Sequence, residues 1–401
     1  MAIMKITAVL CAILPLLTLS FAATTCTVSP LGSGKDDAPN FLSMVKSSAC
    51  STIEIPTGKT LNISSAMDLT GLQNKHIALQ GTIKFNPNID YWTANAFPFA
   101  FQTQIAFWML GGQNVTLDGG GTLDGSGQAW YDEFAKDSSL ARPILLTIYE
   151  GTDITVQNIN LINPPEWTNL VHTSQRVTFA NVNISAVSTS KNAATNTDGW
   201  DTYRSDQVVI RDSIINNGDD CVSFKPNSTN ILVSNLQCNG SHGISVGSLG
   251  QYSGIYDIVE NVTATGIKMT NAQNGARIKA WAGQNVGSGI VRNITFEHFV
   301  ESNVDNPLIV DQCYETDADE CSEYPSNTYI QDIVFTDISG TSSGKEKGTV
   351  ASIGCSPDAR CSDISVSSLS LTSPKDTTTY TCQNIALTGS SASLFGTCTT
   401  T

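Results

Sequence analysis

The chain has 401 residues, 40% hydrophobic and only 14% charged, and its 36 acidic and 21 basic side chains give a formal net charge of -15. Apolar content at this level excludes intrinsic disorder, and the negative balance excludes a general nucleic-acid binder, which needs a basic face against phosphates. Beyond the N-terminus no apolar run approaches the roughly 20 residues of a membrane span.

The first element in chain order is a leader. Lys5 precedes an apolar run over residues 6–19, and Ser20-Phe21-Ala22 sets small residues where a signal peptidase reads. Residues 1–22 are therefore expected to be a signal peptide and 23–401 the mature, secreted, extracellular protein. Loss of Cys11 with the leader leaves ten cysteines, which in an oxidising compartment read as disulfides. Nearest-neighbour pairing predicts Cys26 with Cys50, Cys221 with Cys238, Cys313 with Cys321, Cys355 with Cys361, and Cys382 with Cys398. Sequons at Asn62, Asn114, Asn183, Asn227, Asn239, Asn261 and Asn293 fit a secreted glycoprotein.

Val115-Thr116-Leu117-Asp118 and Thr122-Leu123-Asp124, separated by three glycines, read as early strands, and residues 128–136 as a short helical excursion. From residue 154 onward one pattern recurs: β-branched residues, then Asn or Asp, then more β-branched residues. Its polar members are Asn158, Asn181, Asp212, Asn235, Asn261, Asn293 and Asp332, at intervals of 23, 31, 23, 26, 32 and 39 residues. A period in the low twenties with insertions marks a solenoid. The frame of a leucine-rich repeat and its helix formers are missing, whereas Val, Ile and Thr runs punctuated by Asn, Gly and Ser favour strand after strand. The expected fold is all-β, a single-domain right-handed parallel β-helix, with the recurrent Asn and Asp buried and stacked from coil to coil.

Three Asp residues stand at matching places in this repeat. Asp198 lies 14 residues before Asp212, and Asp220 and Asp219 lie 15 and 16 before Asn235. His242 follows Asn235 by 7, as Asp219 follows Asp212, and Arg277 and Lys279 precede Asn293 by 16 and 14. Strands about 4.8 Å apart would gather these residues into one patch, with Ile278 turned into the core between its two basic neighbours. Clustered carboxylates repel, so at least one should keep its proton while another stays ionised, the pairing that glycoside hydrolysis needs. Arg277 and Lys279 would hold an anionic sugar, which makes the implied partner an acidic polysaccharide.

At Asn196-Thr197-Asp198, Gly218-Asp219-Asp220, Gly240-Ser241-His242-Gly243 and Arg277-Ile278-Lys279 the sequence resembles the family 28 glycoside hydrolases, the polygalacturonases, over essentially the whole mature chain. The resemblance implies a pectin-lyase-like right-handed β-helix acting as a monomer, without cofactor or metal. It further implies hydrolysis of α-1,4-galacturonosyl linkages with inversion. By position, Asp219 resembles the general acid, Asp198 and Asp220 the pair that activates water, and His242 the residue that tunes the acid. Arg277, Lys279 and Tyr314 resemble the substrate binders. Endo-acting members carry Gln where this chain has Gly218, and the runs 217–227 and 240–252 are similar to fungal exo-acting members, which release galacturonic acid from the non-reducing end. Exo action needs a groove closed at one end, which the longer intervals of the repeat could supply, with Trp200, Arg204, Lys225 and Trp281 as candidate lining.

Other readings of the same residues are an endo-polygalacturonase, a xylogalacturonan hydrolase, a calcium-dependent lyase and a catalytically silent polysaccharide binder. Gly243-Ile244-Ser245-Val246-Gly247 matches the G-x-S-x-G elbow of serine esterases, but no helix pattern follows it.

Overall fold

The computed structural model describes residues 24–400. The segment read as a signal peptide, residues 1–22, and Ala23 lie outside the described residues.

The β-branched runs form strands that pair in parallel with the strands one coil before and after, in a 23-stranded sheet wound into a right-handed parallel β-helix. One face carries short strands, Asn169–His172, Trp200–Tyr203, Val222–Phe224, Ile244–Leu249, Asn274–Trp281, Asn306–Tyr314, Thr349–Gly354 and Thr379–Gln383. The remaining wall is made by longer strands such as Gln175–Ser185, Asp206–Asn216 and Ser228–Asn239. In-register pairing stacks Phe224, Val246, Ile278, Val310 and Ile353 inward, each buried. A register slip of one residue would put this whole column in water and the polar face in the core.

One hydrophobic cluster runs from Val28 to Phe395. Its N-terminal end is covered by the helix Ala38–Lys46, which buries Ala38, Phe41 and Val45. Phe395 covers the other end, packed 5.4 Å from the Tyr380 ring. Solenoids need such caps because an open end would expose the core of the last coil. The five disulfides join Cys26–Cys50, Cys221–Cys238, Cys313–Cys321, Cys355–Cys361 and Cys382–Cys398.

The polar repeat differs from the expectation in two ways. Its members are exposed, not buried, because they occupy the left-handed region, with φ from 51° to 59°, at corners where the long strands bend outward. They also belong to two ladders. Asn158, Asn181, Asp212 and Asn235 form one, which continues through Gly266, His298 and Asp337. Asn261, Asn293 and Asp332 belong to another that includes Asn230. The interval of 26 from Asn235 to Asn261 is therefore a step between ladders and not a coil.

Amide side chains join the rungs: Asn235 Nδ2 donates to Asp212 Oδ1 at 3.1 Å and Asn293 Nδ2 to Asn261 Oδ1 at 2.8 Å. Among the sequon residues, Asn114, Asn183, Asn239, Asn261 and Asn293 all donate into such inter-coil contacts. Asn62 is exposed and Asn227 half-buried.

Two segments leave the solenoid early. Residues 86–107 carry the helix Ile89–Asn95 and the strands Phe97–Pro98 and Ile105–Ala106, the latter paired with Pro143–Ile144 from the second segment, which begins with the helix Gln128–Phe134. Phe101 stacks on Tyr203 at 4.0 Å and Phe99 on His172 at 5.1 Å, holding the first segment against the short-strand face.

Candidate active site

Asp198 precedes the strand Trp200–Tyr203, and Asp219 and Asp220 precede Val222–Phe224 one coil later. The backbone N–H of Gly199 donates to Asp220 O at 2.9 Å, which aligns the two coils. The turn between them is shaped by Asn217, whose Nδ2 donates to the carbonyls of Thr197, Asp219 and Asp220, each at 2.9 Å. Gly218 is needed there: a Cβ would sit 2.4 Å from Ala194 O, while the Gly218 N–H bonds Thr197 Oγ1 at 3.0 Å. A Gln side chain at this position has no room in this turn.

One oxygen from each of the three carboxylates lies within 4.8 Å of the others, a spacing that could also hold a cation. Protein cations already flank the cluster. Lys279 Nζ lies 2.8 Å from Asp220 Oδ2, and Ser245 Oγ donates to Asp220 Oδ1 at 2.6 Å. His242 Nδ1 lies 3.2 Å from Asp219 Oδ1, and Asn196 Nδ2 donates to Asp219 Oδ2 at 3.3 Å. Ser245 is thus a partner of Asp220 in mid-strand, buried and without the strand–turn–helix setting of an esterase nucleophile.

The surroundings separate the three acids. Burial, reinforced by Asp201 and Asp219, pushes Asp198 well above the usual carboxylate range. Burial also opposes ionisation of Asp220, but Lys279, Arg277 and Lys225 outweigh it and hold that carboxyl well below its ordinary value. Asp219 lies lower than usual as well, since its hydrogen bond with His242 overcomes burial. His242 is raised in turn: burial disfavours its charged form, but Asp219 and Asp220 favour it more. Of the three acids Asp198 is therefore the one that holds a proton most readily, and Asp219 and His242 favour sharing one between them.

The other positions differ from the sequence count in detail. Val222, Ile244 and Ala276 are paired in register, so Asn274, not Arg277, stands in line with Asp220 and His242. Arg277 lies beside Ser245 and Lys279 beside Gly247, further along the strand, and Lys279 reaches back to Asp220 from there. Tyr314 comes from the next strand, its ring 5.2 Å from both Arg277 Cζ and Lys279 Nζ. Counting from Asn293 misplaces the basic pair because that residue is on the other ladder.

Of these groups Asp198, Asp219, Lys279 and Tyr314 line a cleft of about 470 Å³. Of the four candidate lining residues, Lys225 and Trp281 are in it. Trp200 instead fills the core against Phe179, and Arg204 is exposed, over the Tyr203 ring. The cleft is walled by Gln102–Gln104 and Ser138–Arg142, from the two early segments and not from the long intervals of the repeat. Gln102 Nε2 donates to Gln251 Oε1 at 3.1 Å, tying this wall to the loop after the strand Ile244–Leu249.

Sequence reasoning missed four groups here. Arg142, almost fully buried, donates to Pro165 O at 2.9 Å, Thr195 O at 2.7 Å and Asn196 Oδ1 at 2.8 Å, fixing the loop that carries Asp198. Glu166 lies 3.9 Å from Arg142, and burial pushes it up to about 7 against the pull of that guanidinium. Asp201, in line with Ser223, Ser245 and Arg277, is buried 3.3 Å from Lys225, and burial raises it to about 7 although Lys225 opposes this. Trp167 sits under Lys225, whose Nζ is 5.0 Å from the ring. The available signals were isolated: a lone Arg before Pro143, a Glu-Trp after two prolines, and a second Asp three residues beyond Asp198.

The model of the glycosyl hydrolases family 28 matches residues 46–393. An exopolygalacturonase of Cochliobolus carbonum is 47% identical over 374 residues, covering 90% of this chain and 83% of the relative. Exopolygalacturonase B of Aspergillus niger is 46% identical over 335 residues, 82% of this chain and 76% of the relative. Among solved structures, the endo-xylogalacturonan hydrolase of Aspergillus tubingensis superposes with a TM-score of 0.85 at 34% identity, over 94% of this chain and 99% of that one. The chain is a glycoside hydrolase and belongs to glycosyl hydrolases family 28.

Proposed function

We propose that the protein is a secreted exopolygalacturonase that hydrolyses α-1,4-galacturonosyl linkages of pectate from the non-reducing end. The observation that carries exo action is the cleft wall: Gln102–Gln104 and Ser138–Arg142 stand in the cleft with Asp198 and Asp219, and in this reading they close one end of the groove, so that a polymer enters by its end. The names of the fungal relatives support the same reading. Five disulfides and the apolar leader sequence support secretion.

In this reading Arg277 and Lys279, with Tyr314 across from them, hold the galacturonate carboxylate. Asp219 passes the proton it shares with His242 to the glycosidic oxygen as the bond to the anomeric carbon breaks. Ionised Asp220 takes a proton from the attacking water, which Asp198 helps to orient, and that proton later returns to the His242–Asp219 pair. Inversion follows the family resemblance, and NMR of the first-formed anomer checks it: retained α configuration contradicts it.

The deciding experiment is a product time course on polygalacturonate. Galacturonic acid alone from the first minutes, with viscosity falling slowly, is the expected result. An early ladder of oligomers would sink exo action, and an unsaturated product that absorbs in the ultraviolet would point to a lyase.

A further inference from the structure

Among the described residues, three cations line the catalytic cleft, and two of them are committed to protein partners. Arg142 donates to Pro165 O, Thr195 O and Asn196 Oδ1, and Lys279 donates to Asp220 Oδ2 at 2.8 Å. Lys225 differs. Its one ion pair is with Asp201 Oδ1, at 3.3 Å, and neither Asp201 oxygen has a hydrogen-bond partner. Burial drives that carboxyl toward its protonated form, against the pull of Lys225, so it neutralises the ammonium only in part. Lys225 itself stays charged, because Asp201, Asp198, Asp220 and Asp219 outweigh the burial that disfavours its cation. The side chain is only 7% exposed, yet it lines the cleft with Asp198 and Asp219. A lysine whose sole task was to balance Asp201 would sit in hydrogen-bond contact with it, as Lys279 does with Asp220.

Its place in the cleft is set by two neighbours. The Trp167 ring lies 5.0 Å from Lys225 Nζ, and Glu166, next in sequence, accepts from Gln104 Nε2 at 3.4 Å and lies 3.9 Å from Arg142. Lys225 therefore stands beside the wall residues, and Lys279 stands beside Tyr314. Phe224, Val246 and Ile278 are paired in register and buried, so the residues that follow them, Lys225, Gly247 and Lys279, point outward on one column. The two lysines are thus two coils apart, about 10 Å along the stack. Each reaches toward an earlier coil, Lys225 to Asp201 and Lys279 to Asp220, so the two charges do not converge. The column offers one cation to each of two carboxylates.

We propose that Lys225 is the specificity-determining cation for the residue being released: it binds the carboxylate of the non-reducing galacturonate, while Arg277 and Lys279 hold the carboxylate on the other side of the scissile bond. The proposal rests on the exopolygalacturonase reading and deepens it. A methyl ester on the terminal residue removes the anion and leaves a buried ammonium facing a neutral group, a loss that a charge-assisted hydrogen bond makes large. Chain ends capped by an ester are therefore poor substrates.

The test compares trigalacturonate with the same trimer methyl-esterified on its non-reducing residue alone, scoring kcat/KM for loss of the terminal residue, identified by mass. The parent protein should prefer the free end by roughly ten- to hundredfold, the range of one hydrogen bond to a charged group. Lys225→Met should reduce that preference to less than about threefold, through a loss on the free trimer far greater than on the capped one. Because Lys225→Met leaves Asp201 buried without its cation, the double variant Lys225→Met with Asp201→Asn is measured beside it and should show the same collapse, whereas Asp201→Asn alone should keep the preference. Equal rates on the two trimers in the parent, or a preference that survives in the double variant while both rates fall together, would overturn the assignment and leave Lys225 a structural counter-ion. Failure of the parent to release the terminal residue from either trimer would instead contradict the exopolygalacturonase reading, and the assignment with it.

Discussion

At the residue scale the site depends on three chemically equal acids being made unequal by their neighbours. Lys279 favours ionised Asp220, His242 shares a proton with Asp219, and burial raises Asp198 well above the usual carboxylate range. Asp219→Asn should therefore lower kcat by several orders of magnitude with oligogalacturonate binding largely retained, measured by steady-state kinetics beside calorimetry. Lys279→Met removes the cation that opposes burial at Asp220, so the acid limb of the pH–rate profile should move to higher pH; a limb that stays in place would remove Asp220 from the role of base. The alkaline limb should follow loss of the His242–Asp219 proton, above the ordinary histidine value of about 6.5. Gly218→Gln forces a side chain against Ala194 O and displaces the Asp219 turn, and should cost at least about tenfold in kcat/KM. Asp198, Asp219, Asp220 and His242 were legible because they recur in one part of the repeat, whereas Arg277 and Lys279 were legible from the motif they form and were misplaced by the repeat count. Arg142, Glu166 and Asp201 were not, since an isolated charged residue carries no periodic signal and gains meaning only from what surrounds it.

At the scale of elements, strand identity was legible because β-branched residues alternate with outward polar ones, and the corners were marked by Asn and Asp. What sequence spacing could not separate was two corners per coil, both taking the same residues for the same reason: short polar side chains tolerate positive φ and bond the rung below. The chain itself replaces one rung by Gly266, at φ 67°. Asn235→Gly should accordingly change stability by less than about 0.5 kcal/mol, whereas Asn235→Val should destabilise by more than about 1 kcal/mol, because a β-branched residue resists that conformation. Denaturation midpoints of the two variants check this, and equal losses would mean that the inter-coil amide contact, not the backbone bend, is what matters. The walls over residues 97–106 and 138–142 were not foreseen as walls because they lie before the repeat becomes regular, where length alone gave no hint of direction.

At the scale of the molecule, the surplus of acids sets the pH range in which the fold is stable. Glu166 and Asp201, each raised to about 7 by burial, and Glu301, raised by burial alone, bind protons more tightly folded than unfolded. Their contribution is complete below the unfolded value of about 4 and is lost as pH rises through the folded values. Asp220, and Asp206 at about 2, act in the opposite sense: their stabilisation is present above about 4 and lost as pH falls. Stability should peak between roughly pH 4 and 5 and decline toward pH 8. Both Glu301 oxygens are buried with no hydrogen-bond partner, so Glu301→Gln should raise the melting temperature at pH 8 more than at pH 5. A melting temperature flat from pH 5 to 8 in the parent protein would show that these acids do not govern it. The same negative balance confines attraction for an acidic polysaccharide to the cleft, where Arg142, Lys225 and Lys279 gather. The measurement that bears most directly on that arrangement is a crystal structure of the Asp219→Asn variant with trigalacturonate. It should show the non-reducing residue against Gln102–Gln104 and Arg142, the next carboxylate on Arg277 and Lys279, and the chain leaving past Tyr314. A reducing end against that wall, or a chain crossing it in both directions, would contradict it.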